Sequence, residues 1–365
     1  MNNFQINKIA VMGLGYIGLP TATLFANQGI PVLGVDINKT IVDTVNQGKI
    51  HIVEPDLDRM VEAVIRAGRL RATTECEPAD VFIIAVPTPF KGDHKPDLSY
   101  IESAATMLAP KLVKGNLVIL ESTSPVGTSE QLARWLSQDR SDLSFPLSSD
   151  DPDINICYCP ERVIPGKVLH ELTMNDRILG GMTPRCAQKA KQVYELFVKG
   201  ECLTTDAKTA ELAKLTENSY RDVNIAFANE MSLVCDRLGV DIWELIRLAN
   251  HHPRVNILQP GAGVGGHCIA VDPWFIVDSA KNITPLIQAA RQVNNFKPQY
   301  ILKQIEKLLM QHPHSIVACL GLSYKPDIDD LRESPAIKIV NALSKQTAIK
   351  ELLVVEPHVT ALPAS

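Results

Sequence analysis

Residues 8–36 read KIAVMGLGYIGLPTATLFANQGIPVLGVD, and this stretch decides the fold. A short apolar run, Lys8 to Met12, is followed by helix formers from Leu19 to Gln28 and by a second apolar run, Pro31 to Val35. Short apolar runs of this length are typical of buried strands, and a helical segment between two of them is typical of a βαβ unit. The stretch therefore predicts two parallel strands joined by a crossover helix.

The glycines in this unit have the spacing G-x-G-x-x-G at Gly13, Gly15 and Gly18, and the second strand ends at Asp36. Gly13 permits a tight turn, Gly15 lets a pyrophosphate approach the backbone, and Gly18 lets the helix pack on the strand. Glycines alone would indicate only a turn. Because strand, helix and acid are in register, the pattern predicts dinucleotide binding, with Asp36 on the ribose hydroxyls favouring NAD over NADP.

Two more apolar runs, Asp80 to Val86 and Leu117 to Leu120, alternate with helical stretches. This order predicts an α/β fold with a Rossmann-type, doubly wound parallel sheet, whose ligands bind beyond the carboxyl ends of the strands. The residues that follow these runs, including Thr88 and Thr123, are therefore candidates for the site.

The pattern changes to one long helical period from Thr209 to Leu248, broken chiefly at Gly239. A further helix is expected from after Pro298 to about Met310. A stretch this long is not a crossover helix, so we expect a central helical domain that carries a subunit interface.

A second α/β region begins with a strand at Ile316 to Leu320, a helix near Ser334 to Ser344 and a strand at Leu352 to Val355. About 50 residues cannot make a full doubly wound sheet, so a partial domain is expected. The predicted division is an NAD-binding domain, a helical dimerisation and active-site domain, and an incomplete C-terminal domain, at residues 1–208, 209–305 and 306–365.

The composition points to a small-molecule partner. The 365 residues carry a formal net charge of −5, which favours neither nucleic acid nor a membrane surface. Without a signal-like segment or a long apolar stretch, and with eight cysteines, we expect a cytoplasmic protein with free thiols. Cys157 and Cys159 could be a metal pair, but no second pair lies at ligand spacing, so strand positions are favoured and no metal is predicted.

Two other clusters could carry chemistry. In Gly265-Gly266-His267-Cys268 the glycines could leave amides free to hold an anion beside a thiolate, although a buried structural cysteine is equally compatible. Lys214, Asn218 and Arg221 stand at i, i+4 and i+7, on one helical face. A solvated polar face is the alternative there.

At this point the chain resembles the UDP-sugar 6-dehydrogenases, the family of UDP-glucose and UDP-N-acetylhexosamine dehydrogenases. The matching motifs run in order through almost the whole chain and are together highly specific. They are Gly13 to Pro20, Val86-Pro87-Thr88-Pro89, Glu121-Ser122-Thr123, Cys159-Pro160-Glu161-Arg162, Lys214 to Asn218, Gly263 to Asp272, Tyr324-Lys325-Pro326 and Asp330-Leu331-Arg332-Glu333-Ser334.

The resemblance implies catalytic roles. Cys268 would capture a C6 aldehyde as a thiohemiacetal, which a second oxidation converts to a thioester for hydrolysis, with two NAD reduced per sugar. Lys214 and Asn218 would steady the oxyanion, Glu161 and Asp272 would act as acid and base toward water, and Thr123 would place that water.

The resemblance also implies ligand contacts. Those to NAD fall on Gly13, Gly15, Tyr16, Ile17, Gly18, Asp36, Thr88, Thr123 and Arg332. Those to the UDP-sugar fall on Arg162, Val163, Lys214, Asn218, Arg221, His252, Arg254, Gly265, Tyr324 and Lys325. The arginine matching Arg254 commonly reaches the neighbouring subunit's site, which implies a homodimer or a higher homo-oligomer.

Residues 266–274 are similar to the N-acetylhexosamine branch rather than to the Gly-Gly-Ser-Cys-Phe pattern of the UDP-glucose enzymes. This likeness implies oxidation of UDP-N-acetyl-D-mannosamine for bacterial surface polysaccharide, such as an enterobacterial common antigen. UDP-N-acetylglucosamine and UDP-glucose remain alternatives. The family's UDP-covering domain normally continues beyond the length present here, which implies missing nucleotide contacts.

Two rival functions stay open. A single-hydride dehydrogenase of the 6-phosphogluconate or hydroxyacid type would share the Rossmann and helical domains but would have no use for Cys268. A shortened, inactive chain would survive as an NAD-binding or subunit-interaction module.

Overall fold

The structure is a computed structural model that describes residues 4–92, 94–164, 166–325, 328 and 330–359. The chain divides into two compact units, with the boundary between Lys214 and Leu215.

The strands, in chain order, are β1 (Ile9–Met12), β2 (Val32–Val35), β3 (Leu70–Thr73), β4 (Val81–Ile84), β5 (Phe90–Lys91), β6 (Lys95–Pro96), β7 (Leu117–Leu120), β8 (Asn155–Tyr158), β9 (Arg177–Gly181), β10 (Cys202–Asp206), β11 (Ser315–Leu320) and β12 (Ile349–Val355). The helices are α1 (Gly18–Asn27), α2 (Lys39–Asn46), α3 (Leu57–Arg66), α4 (Ser99–Leu108), α5 (Thr128–Asp139), α6 (Val168–Met174), α7 (Pro184–Tyr194), α8 (Ala207–Leu238), α9 (Ile242–Ala249), α10 (Asp272–Ala280), α11 (Pro285–Gln311) and α12 (Pro335–Leu343). Short 3-10 turns lie at Ala109–Lys111 and Lys281–Ile283.

The first unit is built on an eight-stranded sheet with the order β10-β9-β8-β7-β4-β1-β2-β3. Neighbouring strands are parallel except β8 and β9, which are antiparallel. The central strands β1, β4 and β7 are fully buried, because separate apolar clusters lie on the two faces of the sheet. Burial on both faces explains their continuous apolar sequences. The predicted Rossmann-type, doubly wound fold is confirmed.

The turn between β1 and α1 requires glycine at two positions. Gly13 has φ +92°, a left-handed conformation that side chains rarely adopt. At Gly18 a Cβ atom would lie 1.8 Å from the carbonyl oxygen of Gly13, so helix and turn meet without room for a methyl group. Gly15 differs, because a Cβ there would meet nothing within 4 Å.

A buried carboxylate from α8 holds the start of α5, which follows β7. The fully buried Glu211 accepts hydrogen bonds from the amides of Gly127 (2.6 Å) and Ser129 (2.7 Å) and from the Ser129 hydroxyl (2.7 Å). A carboxylate at a helix N-terminus satisfies amides that have no partner within the helix. The loop that carries Thr123 is therefore anchored at its far end.

The second unit contains the later part of α8, the helices α9 to α12 and the parallel pair β11–β12. The long helix ends as predicted, since Gly239 follows α8 with φ +70° and α9 begins at Ile242. β11, α12 and β12 together make one βαβ unit, which confirms the predicted central helices and partial C-terminal α/β region. Within the described residues, none of the helices is both long and apolar enough to cross a membrane.

The prediction that a helix starts after Pro298 is wrong, because α11 begins at Pro285 and contains Pro298 in its interior. Proline cannot donate the usual hydrogen bond to the carbonyl four residues earlier, that of Asn294. A Cβ on Gly263 would lie 3.2 Å from this carbonyl oxygen and 3.3 Å from Cδ of Pro298. The interruption in the helix therefore makes the place where the Gly263 backbone packs.

Replacing Gly18 by alanine should destabilise the first unit by about 2 kcal/mol or more, because the added methyl group meets backbone rather than a movable side chain. Gly15→Ala is the matched control, with an expected change within about 0.5 kcal/mol. Urea unfolding followed by circular dichroism measures both. Equal losses in the two variants would contradict the packing account of Gly18.

Candidate active site

Asp36 follows β2 and lies beside the glycine turn. Its two carboxylate oxygens accept hydrogen bonds from the amides of Leu14 (2.9 Å) and Asn38 (2.9 Å). α1 begins at Gly18 with no side chain on its N-cap, so its positive end faces the turn. These residues fit a dinucleotide, since the open space at Gly15 suits a pyrophosphate and the remaining lone pairs of Asp36 suit ribose hydroxyls. The same turn holds the other two predicted cofactor contacts, Tyr16 and Ile17.

The loops after β4 and β7 are joined at the carboxyl edge of the sheet. The Val86 amide donates to the Ser122 hydroxyl (3.0 Å), which donates to the Val86 carbonyl (2.7 Å). The Thr88 hydroxyl donates to the carbonyl of Thr123. Two residues predicted separately, Thr88 and Thr123, are thus brought together at the edge where ligands of such sheets bind.

A buried polar cluster lies beneath this edge. Glu121, directly after β7, accepts a hydrogen bond from the Tyr194 hydroxyl (2.6 Å) and has the Arg177 guanidinium at 3.6 Å. Arg177 also donates to the Cys159 sulfur (3.6 Å) and lies 4.8 Å from the centre of the Tyr194 ring. The cluster connects β7, the end of β8, β9 and α7, and so fixes where the loop after β8 begins.

Burial governs the protonation of this cluster. Desolvation raises the pKa of Glu121, although Arg177 and Tyr194 oppose the shift, and desolvation raises the pKa of Cys159 to about 11. Sequence reasoning missed Arg177 and Tyr194. The one available signal was a guanidinium opening the otherwise uncharged stretch RILGG.

Glu161 lies in the loop after β8, and its carboxylate accepts a hydrogen bond from the Val163 amide. Burial raises the pKa of Glu161 to about 7, while the nearby Lys214 ammonium and the Arg177 guanidinium lower it. Lys214 is itself 6% exposed, at the boundary end of the first unit. A carboxyl group that titrates near neutrality can both take up and release protons at working pH.

The rest of this loop is held by its own contacts. The Arg162 guanidinium donates to the Asp176 carbonyl (3.2 Å). The buried Glu54 carboxylate accepts the amides of Gly166 (2.8 Å) and Val168 (2.7 Å), the latter at the start of α6. Glu54 is therefore a positioning residue for the loop of predicted substrate contacts, and sequence reasoning did not single it out.

In the second unit, the Asn218 amide donates to the Asp272 carboxylate, and both side chains are buried. The bond joins α8 to the start of α10 and accounts for an asparagine inside a long helix, where that residue is otherwise unfavourable. Arg221, on the next turn of α8, is exposed. The solvated-face alternative therefore applies to Arg221 and not to Asn218.

A buried network ties α8 to α11 and to the loop before Cys268. Asp222 accepts from Arg291 (2.6 Å) and Asn294 (2.8 Å), Asn294 accepts from Asn229 (2.8 Å), and Asn229 accepts the amide of Gly261 (2.9 Å). Burial raises the pKa of Asp222, and Arg291 opposes that shift. The start of the cysteine loop is thus fixed by side chains of two helices.

The two glycines before His267 are required by close packing. A Cβ on Gly265 would lie 2.5 Å from Cβ of Tyr324, and one on Gly266 would lie 2.8 Å from the Tyr324 ring. The Gly266 amide donates to the Arg332 carbonyl (2.9 Å), so the expectation that this amide is free to hold an anion is wrong. Three predicted ligand positions, Gly265, Tyr324 and Arg332, are brought together here.

Cys268 is partly exposed, whereas Cys157 and Cys159 are buried at the end of β8 and beyond it. Its carbonyl accepts the amides of Val271 (3.0 Å) and Asp272 (2.8 Å), so the residue sits on a tight turn into α10. The thiol is therefore accessible to a ligand rather than sealed in the core.

Other predicted contacts lie farther along the second unit. His252 and Arg254 are on an exposed segment that Asn250 closes by bonds to Ile257 (3.0 and 2.7 Å). Lys325 is partly buried beside Tyr324. Pro326 of the motif and the candidate Asp329 lie outside the described residues.

Comparison with known proteins identifies the family. The UDP-glucose/GDP-mannose dehydrogenase family matches with its NAD binding domain at residues 7–198, its central domain at 208–296 and its UDP binding domain at 318–365.

Similar proteins cover nearly the whole chain. One from Ralstonia solanacearum, an "NDP-N-acetyl-D-galactosaminuronic acid dehydrogenase", is 62% identical over 99% of this chain and 85% of its own length. A "UDP-N-acetyl-D-mannosamine dehydrogenase" from Campylobacter jejuni is 61% identical over 98% and 88%. The solved UDP-D-ManNAc dehydrogenase of Pyrococcus horikoshii is 42% identical, with a TM-score of 0.90 over 98% of this chain and 85% of that one. The chain belongs to the UDP-glucose/GDP-mannose dehydrogenase family and is an NAD-dependent UDP-sugar dehydrogenase.

Proposed function

We propose that this chain oxidises the C6 alcohol of UDP-N-acetyl-D-mannosamine to the carboxylate, through a covalent intermediate on Cys268. The observation that carries the proposal is the accessible Cys268 thiol on a rigid turn. Of the eight free cysteines, six are buried, and only Cys268 and Cys319 are partly exposed. Cys268 is the one within the family's central domain.

The chemistry assigned to Cys268 balances as follows. Bound NAD accepts a hydride in each of two oxidations, so two NADH form per sugar. At the aldehyde stage the Cys268 sulfur forms a bond to C6, and the former carbonyl oxygen takes a proton to give a thiohemiacetal. At the thioester stage water adds to C6, the C–S bond breaks, and the sulfur leaves with the electron pair as the acid is released.

The neighbouring side chains support this sequence. Lys214 and Asn218 would stabilise the oxyanion at C6, with Asn218 oriented by its bond to Asp272. Glu161 would remove the proton from the attacking water, since its pKa near 7 suits a base at neutral pH. Asp272 would assist as the second acid/base group, and Thr123 would place the water.

The ligand contacts are proposed as the resemblance implies them. The NAD contacts are Gly13, Gly15, Tyr16, Ile17, Gly18, Asp36, Thr88, Thr123 and Arg332. The UDP-sugar contacts are Arg162, Val163, Lys214, Asn218, Arg221, His252, Arg254, Gly265, Tyr324 and Lys325. We propose the same three-part division of the chain, at residues 1–208, 209–305 and 306–365.

The sugar is the least constrained part of the proposal. Relatives from Campylobacter jejuni, Yersinia pestis and Escherichia coli, at 56–61% identity, are named for UDP-N-acetyl-D-mannosamine. The Ralstonia relative at 62% is named for N-acetyl-D-galactosaminuronic acid, which makes a galacto-configured N-acetyl sugar the second candidate.

We propose that the chain works as a homodimer or a higher homo-oligomer. α8 exposes Tyr220 (69%), Phe227 (52%) and Val234 (39%) at intervals of seven residues. Residues spaced by seven share one helix face, and an apolar face of this kind is typical of a subunit interface.

We also propose a cytoplasmic location and a role in bacterial surface polysaccharide synthesis of the enterobacterial common antigen type. The free thiols support a reducing compartment. A UDP-activated uronic acid is a suitable donor for the polymerising transferases of such a pathway.

The proposal predicts two NADH per sugar with UDP-N-acetylmannosamine, and little turnover with UDP-N-acetylglucosamine, UDP-N-acetylgalactosamine or UDP-glucose. Cys268→Ser should reduce uronate formation by on the order of a thousandfold, because the intermediate can no longer form. NADH absorbance and mass spectrometry of the product measure both effects.

Cys319→Ser is the control, since this thiol is also partly exposed but lies outside the cysteine loop. One NADH per sugar, unchanged in Cys268→Ser, would indicate a single-hydride dehydrogenase. NAD binding without turnover on any of the four sugars would indicate an inactive module.

Glu161→Gln should slow thioester hydrolysis by about a hundredfold, because the amide cannot accept a proton from water. In the unaltered enzyme the hydrolysis rate should rise with pH through about 7, where the Glu161 carboxylate becomes the ionised base. Single-turnover mass spectrometry of the acyl-enzyme from pH 5.5 to 8.5 follows this step. Glu195→Gln, at an exposed position, is the control. A rise near pH 7 that persists in Glu161→Gln would assign the base elsewhere.

Phe227→Lys should convert the oligomer to monomers, because a desolvated ammonium at an apolar interface is strongly unfavourable. Light scattering with size-exclusion chromatography measures the mass. Val113→Lys, which alters an equally exposed apolar side chain in the first unit (57%), should leave the mass unchanged. An unchanged mass in Phe227→Lys would remove this face from the interface.

A further inference from the structure

A charged side-chain chain leads to the sulfur of Cys268 within the second unit. Nδ1 of His267 lies 3.7 Å from the Asp330 carboxylate, and the imidazole is also a hydrogen-bond partner of the Cys268 side chain. About half of the His267 side chain remains exposed (47%), so the ring lies at the surface of the cysteine loop rather than in the core. None of the steps assigned above uses this histidine.

The carboxylate behind the imidazole is itself held in place. The Arg332 guanidinium donates two bonds to Asp330, at 2.9 and 2.7 Å, one to each carboxylate oxygen, and the Arg332 amide donates a third at 3.0 Å. A bidentate pair of this kind has a defined orientation. Asp330 therefore presents a fixed negative charge to His267.

The loops that carry these groups are joined independently of His267. The Gly266 amide donates to the Arg332 carbonyl, and the close packing of Tyr324 on Gly265 and Gly266 holds the same two segments together. The His267–Asp330 contact is thus not needed to bring the cysteine loop and residues 330–334 into contact. Its effect falls on the charge beside Cys268.

The charged and titratable groups facing the imidazole are Asp330, Cys268 and Arg332, and Tyr324 faces Arg332. Desolvation disfavours the imidazolium and Arg332 opposes it, but the bonds to Asp330 and Cys268 prevail and raise the pKa of His267 to about 9. The same contacts hold the pKa of Asp330 well below its ordinary value, against its own desolvation. At neutral pH the ring therefore carries a proton on the side of the sulfur.

We propose that His267, oriented by Asp330, is a further catalytic residue, which donates a hydrogen bond as the imidazolium to the sulfur of Cys268 and stabilises the sulfur anion. The inference rests on the proposed thioester chemistry. The ring keeps its proton throughout, while the sulfur provides the electron pair of the C–S bond and recovers it when that bond breaks. The same contact assists attack on the aldehyde and departure from the thioester.

Alkylation of the free enzyme by iodoacetamide tests the contact without turnover. The rate at Cys268, followed by mass spectrometry of its peptide from pH 5.5 to 10, reports the reactive sulfur anion. In His267→Gln the rate at pH 7 should fall about tenfold, the effect expected when a charge-assisted hydrogen bond is lost. At pH 10 the two rates should converge, because the histidine of the unaltered enzyme has then lost its proton.

Asp330→Asn supplies a second variant, in which the imidazole remains but its fixed negative partner is removed. The rate at pH 7 should fall in the same direction by a smaller factor. His312→Gln, at an exposed histidine beyond α11, should leave the profile unchanged, and alkylation of Cys319 in the same digests should be equal in all variants.

The outcomes separate this inference from the function on which it rests. A His267→Gln profile that superimposes on the unaltered one, or that is lowered by one factor at every pH, overturns the role of His267, because loosened packing alone would not depend on pH. If Cys268→Ser still forms uronate with two NADH, the thioester chemistry itself fails, whatever the alkylation profile.

Discussion

The close approach of Gly18 to the carbonyl oxygen of Gly13 is the constraint on which the first unit depends. A Cβ at Gly18 would lie 1.8 Å from that oxygen, so β1 and α1 can pack as they do only with hydrogen at this position. The packing directs the positive end of α1 toward the carboxyl edge of the sheet and brings the Leu14 amide onto Asp36. One steric limit therefore sets both the helix position and the polar surface that suits a dinucleotide.

Buried charged groups hold the remaining loops at that edge. Glu121 with Arg177, and Glu211 on the first amides of α5, have their carboxylates in the core and their hydrogen-bond partners in place. Removing one partner of a buried pair typically costs about 3–5 kcal/mol, because the other charge is left without compensation. Such pairs tolerate little displacement, which keeps the loops around Thr123 and Glu161 in one arrangement.

The second unit places its thiol by a different device, in which small residues let backbone segments approach closely. Gly263 packs where Pro298 interrupts α11, and Gly265 and Gly266 pack against Tyr324. The Asp222–Arg291 network adds a hydrogen bond to the start of the same loop through Asn229 and Gly261. Cys268 consequently lies on a turn fixed from both sides while its side chain stays accessible.

The sequence by itself determined the class of fold and most candidate residues, because periodicity, glycine spacing and motif order depend only on neighbours along the chain. It predicted β1, α1 and β2, the break at Gly239, and Cys268 as the residue to watch. Only the tertiary structure decided which residues meet across the chain: Glu54 on the amide of Val168, Tyr194 on Glu121, and Asp330 on His267. It also decided the antiparallel pairing of β8 with β9 and the continuation of α11 through Pro298. Local propensity was misleading at Pro298, because burial and packing along a long helix outweigh the loss of one hydrogen bond.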